Sequence, residues 1–109
     1  MNMTIEVEDK ESLVEVKVSG EIDAYTAPQL REKLFPISEK AGIEMIVDLS
    51  EVSYMDSTGL GVFVGVFKKV RSNNGKFQLI GLSGRLKRLF KITGLADIIE
   101  INSKIEGGV

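Results

Sequence analysis

The run Tyr54-Met55-Asp56-Ser57-Thr58-Gly59-Leu60-Gly61 sets a hydroxyl where an apolar strand gives way to an apolar helix. The spacing predicts a strand over Ile43 to Leu49 and a helix over Thr58 to Arg71. A serine at such a junction has two uses. Its oxygen can cap the helix by accepting a bond from one of the N–H groups that the first turn leaves without partners. The same N–H groups, with the positive end of the helix dipole, favour a phosphate. A phosphoserine at Ser57 would be tolerated by the fold and would present a partner with a new charge, which is the chemistry of a switch. Capping alone explains a serine. It does not explain Gly59, Gly61 and Gly65 just beyond it, each costing roughly 1 kcal/mol relative to alanine inside a helix.

Other chemistries are excluded by what is missing. The 109 residues contain no cysteine and no histidine. Disulfide scaffolds, thiol catalysis and nearly every structural zinc site are ruled out, and so is a Ser-His-Asp hydrolase. No catalytic group, metal or cofactor is expected. Lys and Arg number 14 against 16 Asp and Glu, a net charge of −2, so neither nucleic acid nor an anionic membrane is expected as the main partner. The glycines read G-x-G-x-x-x-G, one residue off the dinucleotide fingerprint. The next strand ends Leu79-Ile80-Gly81-Leu82 without the acid that fingerprint wants, and there is no G-K-[ST]. Asp23, Asp48, Glu51 and Asp56 are scattered over separate segments, with no acidic pair after the first strand to hold magnesium. Arg85, Lys87, Arg88 and Lys91 read as the solvated face of a third helix.

The elements that position Ser57 follow from periodicity. The length fits a single domain over residues 1–109, with about 103–109 as a frayed tail. The hydrophobic fraction is 43% and the charged fraction 28%, as in globular proteins. The N-terminus lacks the order of a signal peptide, and the longest apolar-plus-glycine run, Gly59 to Phe67, is far short of a membrane span. A cytoplasmic location is the expectation. Ile5 and Val7 begin a short edge strand. Val14, Val16 and Val18 alternate with Glu15, Lys17 and Ser19, a half-buried strand ended by Gly20. Thr26 and Gln29 form a capping-box pattern, with Pro28 in the first turn. Leu30, Leu34, Ile37 and Ala41 make that helix's stripe, Pro36 should kink it, and Gly42 should cap its end. The near-continuous run Ile43 to Leu49 predicts a strand covered on both faces. Phe77 to Ile80 is the next strand. Ser83 caps a third helix with Leu86, Leu89 and Phe90 inward, ended by Gly94, and Ile98 to Ile101 is a last strand. The order β-β-α-β-α-β-α-β predicts an α/β fold, a small mixed sheet with helices packed against it.

On a wheel of 3.6 residues per turn, Leu60, Phe63, Val64 and Phe67 share the face of the second helix that must meet the sheet. The opposite face carries Thr58, Gly61, Val62, Gly65 and Lys69. A solvent face usually carries charge. One of glycine and valine, starting beside Ser57, is expected to be an interaction surface.

Three stretches resemble a known family: Gly20-Glu21-Ile22-Asp23-Ala24-Tyr25-Thr26-Ala27-Pro28, Val52 through Phe63, and Arg85-Leu86-Lys87-Arg88-Leu89-Phe90 followed by Thr93-Gly94-Leu95. They are similar to the anti-sigma factor antagonists of the STAS domain family, and the likeness covers nearly the whole chain. It is nearest to the antagonists that control the general-stress sigma factor of bacilli and their relatives. The resemblance implies a STAS fold and a regulatory phosphoprotein of stress-response transcription that works by partner switching, not an enzyme. The unphosphorylated form would bind an anti-sigma factor that is also a serine kinase, releasing the sigma factor. The kinase would phosphorylate the motif serine, here Ser57, and the complex would separate. A PP2C-type phosphatase would restore the protein. Asp23 and Asp56 map onto loop acids beside the switch serine, with Asp23 in the partner contact and Thr58 a minor phosphorylation site. The partner surface is then Asp23, Asp56, Ser57, Thr58, Gly61, Val62 and Gly65. Two alternatives stand beside this one: a nucleotide-binding STAS protein, and a STAS subunit of a larger stress-signalling assembly.

Overall fold

A computed structural model describes residues 2–102, so the tail expected over 103–109 lies outside the described residues. Among them, five strands and three α-helices follow the expected order: β1 (Met3–Lys10), β2 (Leu13–Ile22), α1 (Ala27–Ser38), β3 (Glu44–Met55), α2 (Ser57–Ser72), β4 (Lys76–Ile80), α3 (Gly84–Ile92) and β5 (Glu100–Asn102). A 3-10 turn, Leu95–Asp97, precedes β5. β1 folds back antiparallel onto β2, and β2 to β5 run parallel, side by side in chain order. Right-handed crossovers that always step the same way place every helix on one face of a sheet. The core lies there: Val14, Val16, Met45, Val47, Leu49, Phe77 and Leu79 of the sheet meet Leu30, Leu34, Phe63, Val66, Leu86 and Phe90 of the helices.

β3 is therefore not covered by helices on both faces, contrary to its apolar sequence. Ile46 and Ile80 lie outside that core and share the other face of the sheet with Glu15, Lys17 and Asp48, around an open cavity of about 410 Å³. Ile46 and Ile80 are still buried, each shielded by its neighbours on the sheet.

α1 also departs from expectation. It stops at Ser38 and does not reach Ala41: Glu39 and Lys40 N–H donate to the Pro36 and Ile37 carbonyls three residues back, at 3.4 and 3.2 Å, and the α-helical ladder ends there. Gly42, at φ +71°, sits in the loop beyond the cap residue Glu39, so it turns the chain toward β3 and does not cap the helix. α3 behaves as read: the Ser83 hydroxyl accepts from Leu86 N–H at 3.2 Å, and Gly94 follows the cap residue Thr93 at φ +82°.

Candidate phosphorylation and partner-binding site

The site stands on a projecting ribbon. β4 pairs with β3 only as far as Asp48 and Ile80. β2 and β3 stay paired beyond that point, through two register shifts that each place an extra residue on β3, until Ile22 meets Met55. β3 thus runs six residues past Leu49, to Met55. The alternation breaks there, with Leu49, Val52 and Met55 buried at intervals of three, so period-two reading could not follow the strand. At the tip, Asp56 N–H donates to the Ile22 carbonyl at 3.2 Å, which holds the loops after β2 and β3 side by side. The first turn of α2 sits down on this tip. A Cβ on Gly59 would lie 2.7 Å from Ile22 Cγ2 and 2.9 Å from Met55 Cγ, so glycine is what the close approach requires.

The helix cap is Asp56 and not Ser57. The Asp56 carboxylate accepts from Thr58 N–H at 2.9 Å and Gly59 N–H at 3.3 Å, with its backbone extended as a cap residue requires. A carboxylate one residue earlier reaches the same donors with a full charge on the positive end of the helix, and outcompetes a hydroxyl. Ser57 is the first helical residue and is exposed, as is Thr58. Ser57 has no side-chain hydrogen bond among the described residues and carries no structural duty. The N–H groups that a phosphate on Ser57 would have used are already occupied by Asp56.

Asp23 is built into the fold more deeply than its expected contact role implies. It is 7% exposed. Its carboxylate accepts from Tyr25 N–H at 2.9 Å and Thr26 N–H at 3.0 Å. The Thr26 hydroxyl donates to the Glu21 carbonyl at 2.8 Å and accepts from Asp23 N–H at 2.9 Å. Thr26 therefore makes no capping box with Gln29; its side chain turns back toward β2. Burial pushes the Asp23 carboxyl up, but the N–H groups of Thr26 and Tyr25 and the Thr26 hydroxyl prevail and hold it below its ordinary value.

The second apolar face of α2 is divided between core and surface. Val62 is wholly buried, and so is Val66. α1 crosses here: a Cβ on Gly65 would lie 2.9 Å from Phe35 Cζ. Lys69 closes the crossing, with Nζ 5.2 Å from the Phe35 ring centroid and 3.0 Å from Glu39 Oε2. Val62 therefore offers no interaction surface, and Gly65 is half-buried, with Phe35 of α1 against it. Gly61 is exposed, and a Cβ on it would meet nothing within 4 Å. Gly59 and Gly65 have packing reasons that owe nothing to a phosphate loop, whereas Gly61 has none.

Comparison with known proteins decides the lineage. Residues 4–107 match the STAS domain model. The chain belongs to the STAS domain family. Among STAS relatives, the anti-sigma-B factor antagonist of Bacillus subtilis is 55% identical over 109 residues, covering 100% of this chain and 99% of that protein. That of Listeria monocytogenes is 55% identical over 108 residues, covering 98% and 94%. The crystal structure of an anti-sigma factor antagonist from Mycobacterium paratuberculosis superposes with a TM-score of 0.86 at 27% identity, covering 97% of this chain and 90% of that one. These STAS proteins bear the names of regulators and not of enzymes. No helix among the described residues is long and apolar enough to cross a membrane.

Two residues at the STAS tip escaped sequence reasoning. Tyr25 is 87% exposed and Tyr54 is 47% exposed, two of the four large hydrophobic side chains left in solvent among the described residues. The signal was present: Tyr25 stands alone between turn residues, and Tyr54 is out of phase with buried Val52 and Met55. The segments forming the tip are also one-signed. Residues 18–30 and 41–67 contain Glu21, Asp23, Glu44, Asp48, Glu51 and Asp56 and no Lys or Arg.

Proposed function

We propose that this chain is an anti-sigma factor antagonist switched by phosphorylation of Ser57. Unphosphorylated, it binds an anti-sigma factor that is also a serine kinase, and so frees a sigma factor for stress-response transcription. The kinase transfers phosphate to Ser57 and the complex separates; a PP2C-type phosphatase removes the phosphate and restores binding. The setting is the cytoplasm, and neither nucleic acid, membrane nor cofactor takes part. Thr58, beside Ser57 and equally exposed, is a minor acceptor. The partner surface is the exposed part of the tip: Ser57, Thr58 and Gly61, rimmed by Asp56.

One observation carries this reading: Ser57 is an exposed hydroxyl on a rigid helix start, relieved of capping by Asp56. The full-length likeness to anti-sigma-B factor antagonists supports it. A phosphate placed there adds about −1.5 to −2 charges at neutral pH. The cap donors are taken, and the tip segments hold no cation to pair with it. The charge then faces the partner. The test is incubation with the anti-sigma-B factor of Bacillus subtilis and ATP, followed by mass mapping. Phosphate on Ser57, lost in Ser57→Ala, is expected. Uptake by Ser57→Ala as full as by wild type would refute the assignment.

A further inference from the structure

We infer that Tyr25 and Tyr54 are the anchors by which the partner grips this tip, and that Asp23 is a positioning residue that presents Tyr25. The inference rests on the reading of Ser57 as the switch. Ile22 pairs with Met55, so Tyr25, three residues beyond Ile22, and Tyr54, one before the end of β3, stand at the end of the ribbon from which Ser57 starts α2. Tyr54 pairs in register with Glu21 and points away from the face where Ile22 and Met55 receive α2. Neither ring has a hydrogen-bonded partner among the described residues, and both stay in solvent although an apolar core is available to the fold. Tyrosine is enriched in interface hot spots because it brings large apolar area at little conformational cost.

Tyr25 is exposed but not loose. Its N–H is held by the Asp23 carboxylate, which the Thr26 hydroxyl and N–H fix in turn. A buried acid that holds the backbone of an exposed aromatic pre-organises that aromatic for docking. The acidic tip segments specify the other half of the partner's face: two apolar recesses rimmed by Arg or Lys. The occupant is the serine kinase itself, since both rings stand at the ribbon end that carries the hydroxyl it must reach.

The test is titration of Tyr25→Ala, Tyr54→Ala, Tyr25→Phe, Asp23→Asn and Ser57→Glu forms of the full chain against the anti-sigma-B factor of Bacillus subtilis with ADP. Each tyrosine-to-alanine change should weaken binding about tenfold or more with the circular dichroism spectrum unchanged. Tyr25→Phe, which keeps the ring, should bind as wild type. Asp23→Asn, whose amide oxygen still accepts the Tyr25 N–H, should stay within about threefold, because position and not charge is what Asp23 supplies. If both alanine variants bind within twofold of wild type while Ser57→Glu does not bind, the anchors are wrong and the switch stands. If wild type does not bind, or Ser57→Glu binds as wild type, the switch reading falls and the anchors with it.

Discussion

Two aspartates hold the loops before α1 and α2 with the same pattern of bonds and opposite consequences. Asp23 takes the N–H groups of Tyr25 and Thr26, and Asp56 takes those of Thr58 and Gly59, each two and three residues on. In the first loop, the neighbouring hydroxyl of Thr26 is turned inward and bonded to the Glu21 carbonyl. In the second, the neighbouring hydroxyl of Ser57 is exposed. The first loop uses both its carboxylate, Asp23, and the hydroxyl of Thr26 to hold itself. The second uses one carboxylate to hold itself and leaves one hydroxyl over. A modifiable residue must be accessible without being needed, and the Asp56 cap is what makes Ser57 dispensable to the fold.

The largest effect should come from loading that spare hydroxyl. Burying an unpaired charge at an interface costs on the order of 2–5 kcal/mol, so phosphorylated protein should bind the kinase roughly thirty-fold to a few thousand-fold more weakly. Amide NMR shifts should change only around Ser57. Shifts spread across the sheet and α3 would mean that the second loop is as structural as the first.

The inner and outer sides of the first α2 turn should differ in sign. Gly59→Ala forces a methyl against Ile22 and Met55 and should cost about 1–3 kcal/mol. Gly61→Ala meets nothing and should stabilise by roughly 0.5–1 kcal/mol. Denaturant midpoints of the two variants give both numbers, and a destabilised Gly61→Ala would mean that its outer face is covered.

The division of labour at the cap itself is tested by single replacements. Asp56→Ala should cost about 1 kcal/mol. Ser57→Ala should change stability by less than about 0.5 kcal/mol, as an exposed residue without partners does. Equal losses in thermal or urea unfolding would erase the contrast between the two positions.

The smallest effect is in pH. The Asp23 carboxyl is held below its ordinary value in the fold, so it binds protons less readily there than in the unfolded chain. Its contribution is present above the unfolded value of about 3.9 and is lost as pH falls through the lower folded value. Asp23→Asn should therefore lower the urea midpoint slightly at pH 7 and draw level with wild type below about pH 4, which flattens the acid decline. An unaltered acid slope would show that Asp23 is no better bonded than an ordinary surface acid.

The features legible in the sequence were those with local causes. Alternation in Val14, Val16 and Val18 marks β2 because strand side chains point to opposite faces in turn. The Ser83 cap and Gly94 stop of α3 are set within a few residues of each other. The Ser57 junction itself is where one periodicity yields to another, and the family motif lies around it. These are short-range matters, and the chain states them wherever it folds.

What lies across the fold was decided by tertiary structure. How much of Gly65 is surface depends on α1, thirty residues earlier, laying Phe35 against it, and Val62 is buried in the core. A helical wheel shows that a face is apolar but cannot name what covers it. The length of β3 past Leu49 depends on β2 supplying shifted partners as far as Ile22. The choice of Asp56 over Ser57 as cap is a competition for the same two N–H groups, and backbone geometry at the ribbon tip awards them to the carboxylate. Sequence placed the hydroxyl at a helix start; only the packed ribbon, helix and cap left it free to be modified, because freedom at one residue depends on its neighbours satisfying every bond it would otherwise have to make.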